Sequence, residues 1–281
     1  MVVIAQMQDK RELKAKIKEA VCHMYEEVSL NPSYQFHFPV GKNAAREVGY
    51  PSEMLSKIPI RALESFAGVG YHFQNNTIKE GDSVLDIGSG SGTDLLIAAQ
   101  LVGSKGKVVG VDITDAMIEK SQKAIKESGT SNVSVVKVDG EKLPFAKNTF
   151  DVVISNGVIN LIPDKKRAFK EIFRVLKSGG VLSIADIVLG EPISEESRQN
   201  PTLWAECVVG ASLESLYVDM IQKAGFSGVE IIDTLDYFAK SLSRNTRDVA
   251  KEYQAHSVIL KAVKSHSVKT SKGEGGDIND K

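Results

Sequence analysis

From residue 83 onward, short apolar runs rich in β-branched residues alternate with longer segments whose apolar residues recur every three or four positions. The short runs are typical of buried strands, and the longer segments are typical of helices that bury one face. The predicted strands are SVLDIG, KVVGVDI, VSVVKVD, FDVVISN and VLSIADIVL, and the predicted helices are DLLIAAQLVG, DAMIEKSQKAIKE and DKKRAFKEIFRVL. This alternation predicts an α/β fold with a parallel, doubly wound sheet and helices on both faces.

The chain before this pattern predicts a helical cap. Within residues 8–28 the apolar positions have the spacing of an amphipathic helix, and they are Leu13, Ile17, Val21 and Met24. Four prolines divide the stretch that follows into short pieces. We therefore assign residues 1–75 to a cap and residues 76–265 to the sheet domain.

The second half of the sheet domain departs from simple alternation. Residues 191–218 contain two prolines and predict an inserted helical segment on the acceptor side, which would act as a lid. After the helix SLYVDMIQKAGF, the runs VEIIDTLDYFA and SVILKAVKS predict two strands that pair at an edge of the sheet. Residues 266–281 are polar and rich in Gly, Lys and Ser, and they predict a disordered tail.

The composition narrows the range of partners and compartments that the protein can have. The chain has 281 residues, a formal net charge of -1 and 42% hydrophobic residues, which disfavours nucleic acid or an anionic membrane as a partner. No apolar run approaches the roughly 18 residues of a membrane-spanning helix, and the N-terminus has no signal-peptide pattern. The two cysteines, Cys22 and Cys207, provide neither a disulfide framework nor a metal-binding pattern. We expect a cytoplasmic protein without a resident metal.

A glycine-rich loop follows the first predicted strand, in the segment VLDIGSGSGTD. Its glycines, Gly88, Gly90 and Gly92, alternate with other residues, and Thr93 stands where a dinucleotide-binding fingerprint would need a further glycine. Asp86 at the end of the strand would repel a pyrophosphate. The acid suits a ligand that carries an ammonium group, such as the methionine part of S-adenosylmethionine.

Two further acids stand at the ends of the next two strands. Asp112 closes VVGVDI, where a carboxylate can accept hydrogen bonds from both hydroxyls of a ribose. Asp139 follows the next strand, where an acid and a neighbouring backbone amide can recognise the edge of an adenine ring. Because the carboxyl ends of parallel strands meet at one edge of the sheet, these acids and the glycine loop predict S-adenosylmethionine as the ligand.

These motifs resemble the class I S-adenosylmethionine-dependent methyltransferases, over most of the chain. The segments VLDIGSGSG, GVDITDAMI, VDGEKLPF, FDVVISN and FRVLKSGG look like that family's successive motifs. The resemblance implies a Rossmann-like sheet of seven strands with the last strand antiparallel. By this resemblance and the strand-end positions, the cofactor-binding residues are Asp86, Gly88, Ser89, Gly90, Asp112, Ile113, Asp139, Gly140 and Asn156.

A narrower resemblance, to the arsenite methyltransferases, extends outside the cofactor loop. The segments GYPSEMLSKIPIRALESFAGVGYHF, SNGVINLIPDK and AECVVGA are similar to that family. The family binds trivalent arsenic through two or three thiolates, and one of them corresponds to Cys207. Another family cysteine directly follows the asparagine that corresponds to Asn156, where this chain has Gly157. The surroundings of Cys22 do not clearly match the family's N-terminal cysteine site.

We therefore expect an S-adenosylmethionine-dependent methyltransferase that is arsenite methyltransferase-like and acts on a small acceptor, with Cys207 and Asn156 as candidate catalytic residues. A small organic acceptor, such as a quinol or a phenol, is the alternative, and Gly157 favours it because its small size opens the pocket. A non-catalytic S-adenosylmethionine-binding protein is a more distant alternative. His72 is interpreted as a partly exposed loop residue rather than a general base, and Trp204 either lines the acceptor pocket or anchors the lid.

Overall fold

The computed structural model describes the backbone of residues 2–265 and the side chains of residues 8–265; the predicted tail lies outside the described residues. The helices are α1 (Val2–Leu30), α2 (Lys42–Glu47), α3 (Ser52–Ser56), α4 (Ile60–Leu63), α5 (Thr93–Val102), α6 (Asp115–Ser128), α7 (Lys165–Val175), α8 (Glu195–Arg198), α9 (Pro201–Ala205), α10 (Glu214–Lys223) and α11 (Arg244–Glu252). The strands are β1 (Ser83–Ile87), β2 (Lys107–Asp112), β3 (Val133–Lys137), β4 (Phe150–Asn156), β5 (Leu176–Leu189), β6 (Ser212–Leu213), β7 (Ser227–Leu235) and β8 (His256–Val263). Short 3₁₀ helices lie at His72–Asn75, Ile159–Leu161 and Tyr237–Lys240.

The strands form one sheet in the order β3-β2-β1-β4-β5-β8-β7. Strands β1 to β5 pair in parallel, and β8 is antiparallel to both of its neighbours. The predicted α/β sheet with an antiparallel last strand is therefore confirmed. The two-residue β6 pairs with β5 outside this path, so the sheet has eight strands where seven were predicted.

The sheet separates two hydrophobic layers. Successive residues of β1 point to opposite faces, with Val84 in one layer and Leu85 in the other. The first layer includes Leu95 of α5 and residues of the cap, and the second includes Phe169 of α7 and Tyr217 of α10. Both faces of the central strands are buried, which explains why these strands read as continuous apolar runs.

The edge formed by β7 and β8 corrects one prediction. The two strands pair as expected, but β7 ends at Leu235, before the predicted run VEIIDTLDYFA does. Asp236 then starts a 3₁₀ helix by accepting a hydrogen bond from the backbone N–H of Ala239 at 3.2 Å. Ser243 caps α11 in the same way through Thr246, so two helical pieces that we did not predict connect the strands.

The cap and the inserted segment meet over one end of the sheet. Helix α1 is longer than the predicted span of residues 8–28, and it packs against α6 and α9. The inserted segment contains α8, α9 and β6, but α10 begins at Glu214, before the predicted end of the insertion at residue 218. Among the described residues, none of the helices combines the length and the apolarity needed to cross a bilayer.

Candidate functional site

A cavity with an empty volume of about 1070 Å³ opens at the carboxyl ends of β1, β2 and β4, below α1. The predicted cofactor-binding residues that line it are Asp86, Gly88, Gly90, Asp112, Ile113, Asp139, Gly140 and Asn156. Ser89 is the exception. Its side chain faces β2, because a methyl group built on Gly110 would lie 2.6 Å from Ser89 Oγ.

The glycine loop has a backbone that side chains would disturb. Gly88 and Gly90 have positive φ angles of 70° and 51°, in the left-handed region that favours glycine. A Cβ on Gly88 would lie 2.3 Å from Val158, whereas a Cβ on Gly90 would meet nothing within 4 Å. The loop is tied to β2 because the backbone N–H of Gly88 donates to Val111 O at 2.7 Å. It is therefore a fixed cradle with an open side at Gly90.

Asp112 has acceptor capacity left for a ligand. Its Oδ2 accepts the backbone N–H of Gly90 at 3.0 Å, and its Oδ1 accepts that of Thr114 at 2.9 Å. Each carboxylate oxygen has a second lone pair, which fits the two hydroxyls of a ribose. Burial raises the pKa of Asp112, although the backbone hydrogen bonds oppose that shift.

Asp139 is bound to the cap. Its Oδ1 accepts the backbone N–H of Glu141 at 3.0 Å, and its Oδ2 lies 2.5 Å from Nζ of Lys18 in α1. Lys18 also lines the cavity. The sequence placed Asp139 at the adenine end of the site but did not indicate this lysine, which lies 121 positions earlier in the chain.

Asp86 and Asp94 form an acidic wall. Oδ2 of Asp86 is buried and has no hydrogen-bond partner among the described residues. Burial, and then the charges of Asp94 and Asp112, raise the pKa of Asp86 well above its ordinary value. The ion pairs of the described residues join no lysine or arginine to any of these three acids. The cavity is therefore suited to a ligand that brings positive charge.

Asn156 binds the cap turn to the sheet. Its side-chain carbonyl accepts the backbone N–H groups of Val69 and Gly70 at 2.7 and 3.3 Å. Its amide nitrogen lies 3.0 Å from Oδ2 of Asp94 and 3.0 Å from the hydroxyl of Tyr50. Asn156 thus lines the cavity as predicted, with every polar atom of its side chain bonded.

His72 corrects an interpretation made from the sequence. The histidine is fully buried rather than partly exposed, and its Nε2 lies 3.1 Å from Oδ2 of Asp94. The sequence did not indicate Asp94 as part of the site. For Tyr50, whose hydroxyl donates to Asp94 at 2.6 Å, the sequence left open whether it lines the acceptor pocket or only packs. The segments that supply Tyr50 and His72 did stand out, because both lie in the string that resembles the arsenite methyltransferases.

The two cysteines have different surroundings. Cys207 is buried, its Sγ lies 4.0 Å from the hydroxyl of Tyr25, and it is not among the described residues that line the cavity. Burial raises the pKa of Cys207 to about 12. Cys22 is half-buried in α1, and its pKa is raised by burial and then by Asp112.

Gly157 and Trp204 are the other two residues that the sequence assigned to the acceptor side. Gly157 has a φ angle of 71°, and a Cβ on it would lie 3.1 Å from Val69. Trp204 anchors the inserted segment, because its indole N–H donates to Leu161 O at 3.0 Å. No group of three or more His, Cys, Asp or Glu side chains in the described part of the chain is arranged to hold a metal ion.

Comparison with known proteins identifies the family. A model of the methyltransferase domain matches residues 78–225, more than half of the chain. The chain is 41% identical to the arsenite methyltransferase of Halobacterium salinarum over 151 residues, which are 54% of this chain and 39% of that protein. It is 38% identical to a ubiquinone/menaquinone biosynthesis C-methyltransferase of Cronobacter sakazakii over 120 residues, 42% of this chain and 47% of that protein. The chain thus spans less than half the length of these curated relatives.

A solved structure extends the similarity to the fold of most of the chain. The arsenic(III) S-adenosylmethionine methyltransferase from Chlamydomonas reinhardtii superimposes with a TM-score of 0.60 and 30% sequence identity, covering 81% of this chain and 74% of that chain. The glycine loop and the three strand-end acids line one cavity of this fold. The chain therefore belongs to the methyltransferase domain family, and its cofactor is S-adenosylmethionine.

Proposed function

We propose that the chain transfers the methyl group of S-adenosylmethionine to a small acceptor, in the manner of the arsenite methyltransferases to which it is similar. The observation that carries this proposal is a group of three acids that no lysine or arginine of the described residues neutralises: Asp86 and Asp94, which are buried, and Asp112, which is partly buried. Buried charge without a partner is costly, so the site favours a cationic ligand. S-adenosylmethionine carries both a sulfonium and an ammonium group.

The residues of the cavity fit the three parts of this cofactor. Asp112 would accept the ribose hydroxyls, Asp139 and Gly140 would contact the adenine, and Ile113 would pack against its ring. The buried, unpartnered Oδ2 of Asp86 lies at the remaining end, for the methionine part. We infer no comparable role for the side chain of Ser89, which faces Gly110.

The protein's contribution to the reaction is alignment and exclusion of water. The bound cofactor supplies a methyl group that is already activated on sulfur. Val21 and Tyr25 of α1 line the cavity from above, and Val158 and Leu161 line it from the side of β4. This apolar surround would hold the acceptor opposite the leaving sulfur and keep water out. Asn156 supports that geometry by fixing the turn that contains Val69.

Trivalent arsenic is the first candidate acceptor, because the relatives are named for arsenite or arsenic(III). Arsenic is soft and prefers thiolate ligands. Cys207 is the candidate ligand; it does not itself line the cavity, but its Sγ lies 4.0 Å from the hydroxyl of Tyr25, which does. We infer that Cys207 would take part only after Tyr25 turns aside, and that Cys22 would not join it.

A small organic acceptor, such as a quinol or a phenol, is the second candidate. The apolar surface of Phe66, Val158 and Leu161 favours it, because it suits a ring, and Gly157 lines the same cavity without a side chain. The similarity to a C-methyltransferase of quinone biosynthesis covers a smaller part of the chain. The cytoplasmic location stays a prediction, supported by two unpaired cysteines.

Turnover of S-adenosylmethionine to S-adenosylhomocysteine tests the proposal, with arsenite, methylarsenite and a panel of quinols and phenols offered in parallel. If arsenic is the acceptor and Cys207 binds it, Cys207→Ser loses turnover and the matched variant Cys22→Ser keeps it. An organic acceptor would be methylated equally by both variants. Binding of the cofactor without turnover of any acceptor would support the non-catalytic alternative instead.

A further inference from the structure

Asp94 is the acid of the cavity that sequence motifs did not indicate. It is the second residue of α5, its side chain is 8% exposed, and it lines the cavity beside Asp86 and Asn156. An acid in the first turn of a helix has an ordinary role in stabilising the helix dipole. Here, however, its carboxylate is oriented by three side chains from other parts of the chain.

Three side chains fix the carboxylate, and none of them is a lysine or an arginine. The hydroxyl of Tyr50 donates to Oδ1 at 2.6 Å, and the amide of Asn156 donates to Oδ2 at 3.0 Å. Nε2 of His72 is 3.1 Å from Oδ2, while its Nδ1 is buried without a partner among the described residues. The ring of His72 therefore contacts Asp94 through Nε2.

The neighbouring Asp86 points to a ligand at the same place. Asp86 is 2% exposed and lines the cavity, yet its Oδ2 lacks a hydrogen-bond partner among the described residues. An unpartnered buried oxygen beside a carboxylate that pairs with no lysine or arginine is completed by a group with several N–H donors and a positive charge. The ammonium of the cofactor's methionine part is such a group.

We propose that Asp94, together with Asp86, holds the ammonium group of the cofactor, with Tyr50, His72 and Asn156 as positioning residues for the Asp94 carboxylate. This inference rests on the proposed function, since it assumes that S-adenosylmethionine occupies the cavity. It extends the cofactor site beyond the glycine loop and the strand ends. It also explains why residues of the cap, at positions 50 and 72, bond to a residue of the sheet domain.

Calorimetric binding of three ligands tests the proposal. S-adenosylmethionine and S-adenosylhomocysteine both carry the ammonium group, whereas 5′-methylthioadenosine keeps the adenine, ribose and sulfur but lacks the amino-acid part. Asp94→Asn should weaken binding of the first two by about tenfold to a hundredfold and change binding of the third by less than about twofold. Asp139→Asn is the matched control, and it should weaken binding of all three ligands because all three contain adenine.

Each alternative role of Asp94 predicts a different pattern of binding across the three ligands. A loss confined to S-adenosylmethionine would overturn the proposal in favour of a contact with the sulfonium, and an equal loss for all three ligands would mean a structural role. If Asp94→Asn does not fold, Tyr50→Phe is measured instead. It should weaken binding of the two ammonium-bearing ligands several-fold and leave binding of 5′-methylthioadenosine nearly unchanged. Unchanged binding of all three ligands by a folded Tyr50→Phe would then overturn the proposal. A wild-type protein that binds none of the three ligands would refute the proposed function itself.

Discussion

Lys18 of α1 forms an ion pair with Asp139 at the end of the cavity proposed for the adenine, with 2.5 Å between Nζ and Oδ2. The same ammonium lies 3.2 Å from Oε2 of Glu141. Burial lowers the pKa of Lys18, but the hydrogen bonds and charges of the two acids outweigh burial and raise it overall. The contact therefore favours the charged lysine and ties the N-terminal helix to the rim of the cofactor site.

Removing the ion pair of Lys18 should speed the release of S-adenosylhomocysteine, the product formed from the cofactor. Lys18→Met leaves the helix with fewer anchors above the cavity, and we expect S-adenosylhomocysteine to dissociate about 1.5-fold to fivefold faster, in line with about 0.2–1 kcal/mol for a partly exposed ion pair. Stopped-flow displacement measures the rate. Lys14→Met is the control. Lys14 lies on the same helix as Lys18 and pairs with Asp164 at 2.8 Å, but it does not line the cavity. Equal acceleration in both variants would argue against a specific effect of Lys18.

Restoring a cysteine at position 157 should cost stability without creating an arsenic site. The φ angle of 71° at Gly157 is strained for any other residue, and a new Cβ would lie 3.1 Å from Val69. We expect Gly157→Cys to lose about 1–2 kcal/mol in the free energy of unfolding, and to turn over no more arsenite than Gly157→Ala, which has the same strain and no thiol. Chemical denaturation and product formation provide the two measurements. A gain in arsenite turnover specific to the cysteine would show that the backbone adapts.

The sheet could be predicted from sequence because its central strands are buried on both faces and end at polar residues. Strand β4 occupies Phe150–Asn156, the same residues as the predicted run FDVVISN, and β1 and β2 differ from their predicted runs only at the last residue. Where a strand lies at the exposed edge, as β7 does, its apolar pattern weakens and its end could not be located.

The strand-end acids of the cavity were predictable for a related reason: topology alone brings them to one edge of the sheet. Asp94 was not, because an acid in the first turn of a helix is common and its partners lie far away in sequence. Tyr50 is 44 positions and His72 is 22 positions from Asp94. Such long-range polar contacts leave no periodic pattern in the sequence, so only the folded structure brings them together.

Replacing Asn156 by aspartate should destabilise the protein in a pH-dependent way. The amide nitrogen lies 3.0 Å from Oδ2 of Asp94, so Asn156→Asp puts two carboxyl groups in contact. In the unfolded chain both groups lose their protons near about pH 4, whereas the folded pair retains one proton to higher pH. The added loss of stability is therefore small below about pH 4 and grows as the pH rises.

Denaturation of Asn156→Asp between about pH 4 and pH 8 measures this loss, with Asn156→Ala as the control that removes the same hydrogen bonds without adding charge. We expect the alanine variant to lose about 2–4 kcal/mol at every pH, as is usual for breaking a buried network. If the difference in the free energy of unfolding between the two variants does not change with pH, the new carboxyl group does not contact Asp94.

Cys207 should make the folded protein sensitive to alkaline pH. Burial raises its pKa from 9.0 to about 12, so the folded chain keeps the thiol proton while the unfolded chain loses it. The thiol's contribution to stability is therefore fully present below pH 9.0 and declines above it, by at most about 1.4 kcal/mol for each pH unit up to the folded-state pKa. Cys207→Ala removes this decline, although it leaves a small cavity at every pH.

The slope of stability against pH, rather than its absolute value, isolates this effect. Buried phenols such as Tyr217, whose pKa is also raised by burial, add a decline that the wild type and Cys207→Ala have in common. Denaturant unfolding from about pH 8 to about pH 10 should give a shallower slope for Cys207→Ala than for the wild type. Cys22→Ala should change the slope less, because that thiol is only half-buried. Parallel slopes for Cys207→Ala and the wild type would mean that Cys207 ionises in the folded protein, and that Tyr25 does not shield it.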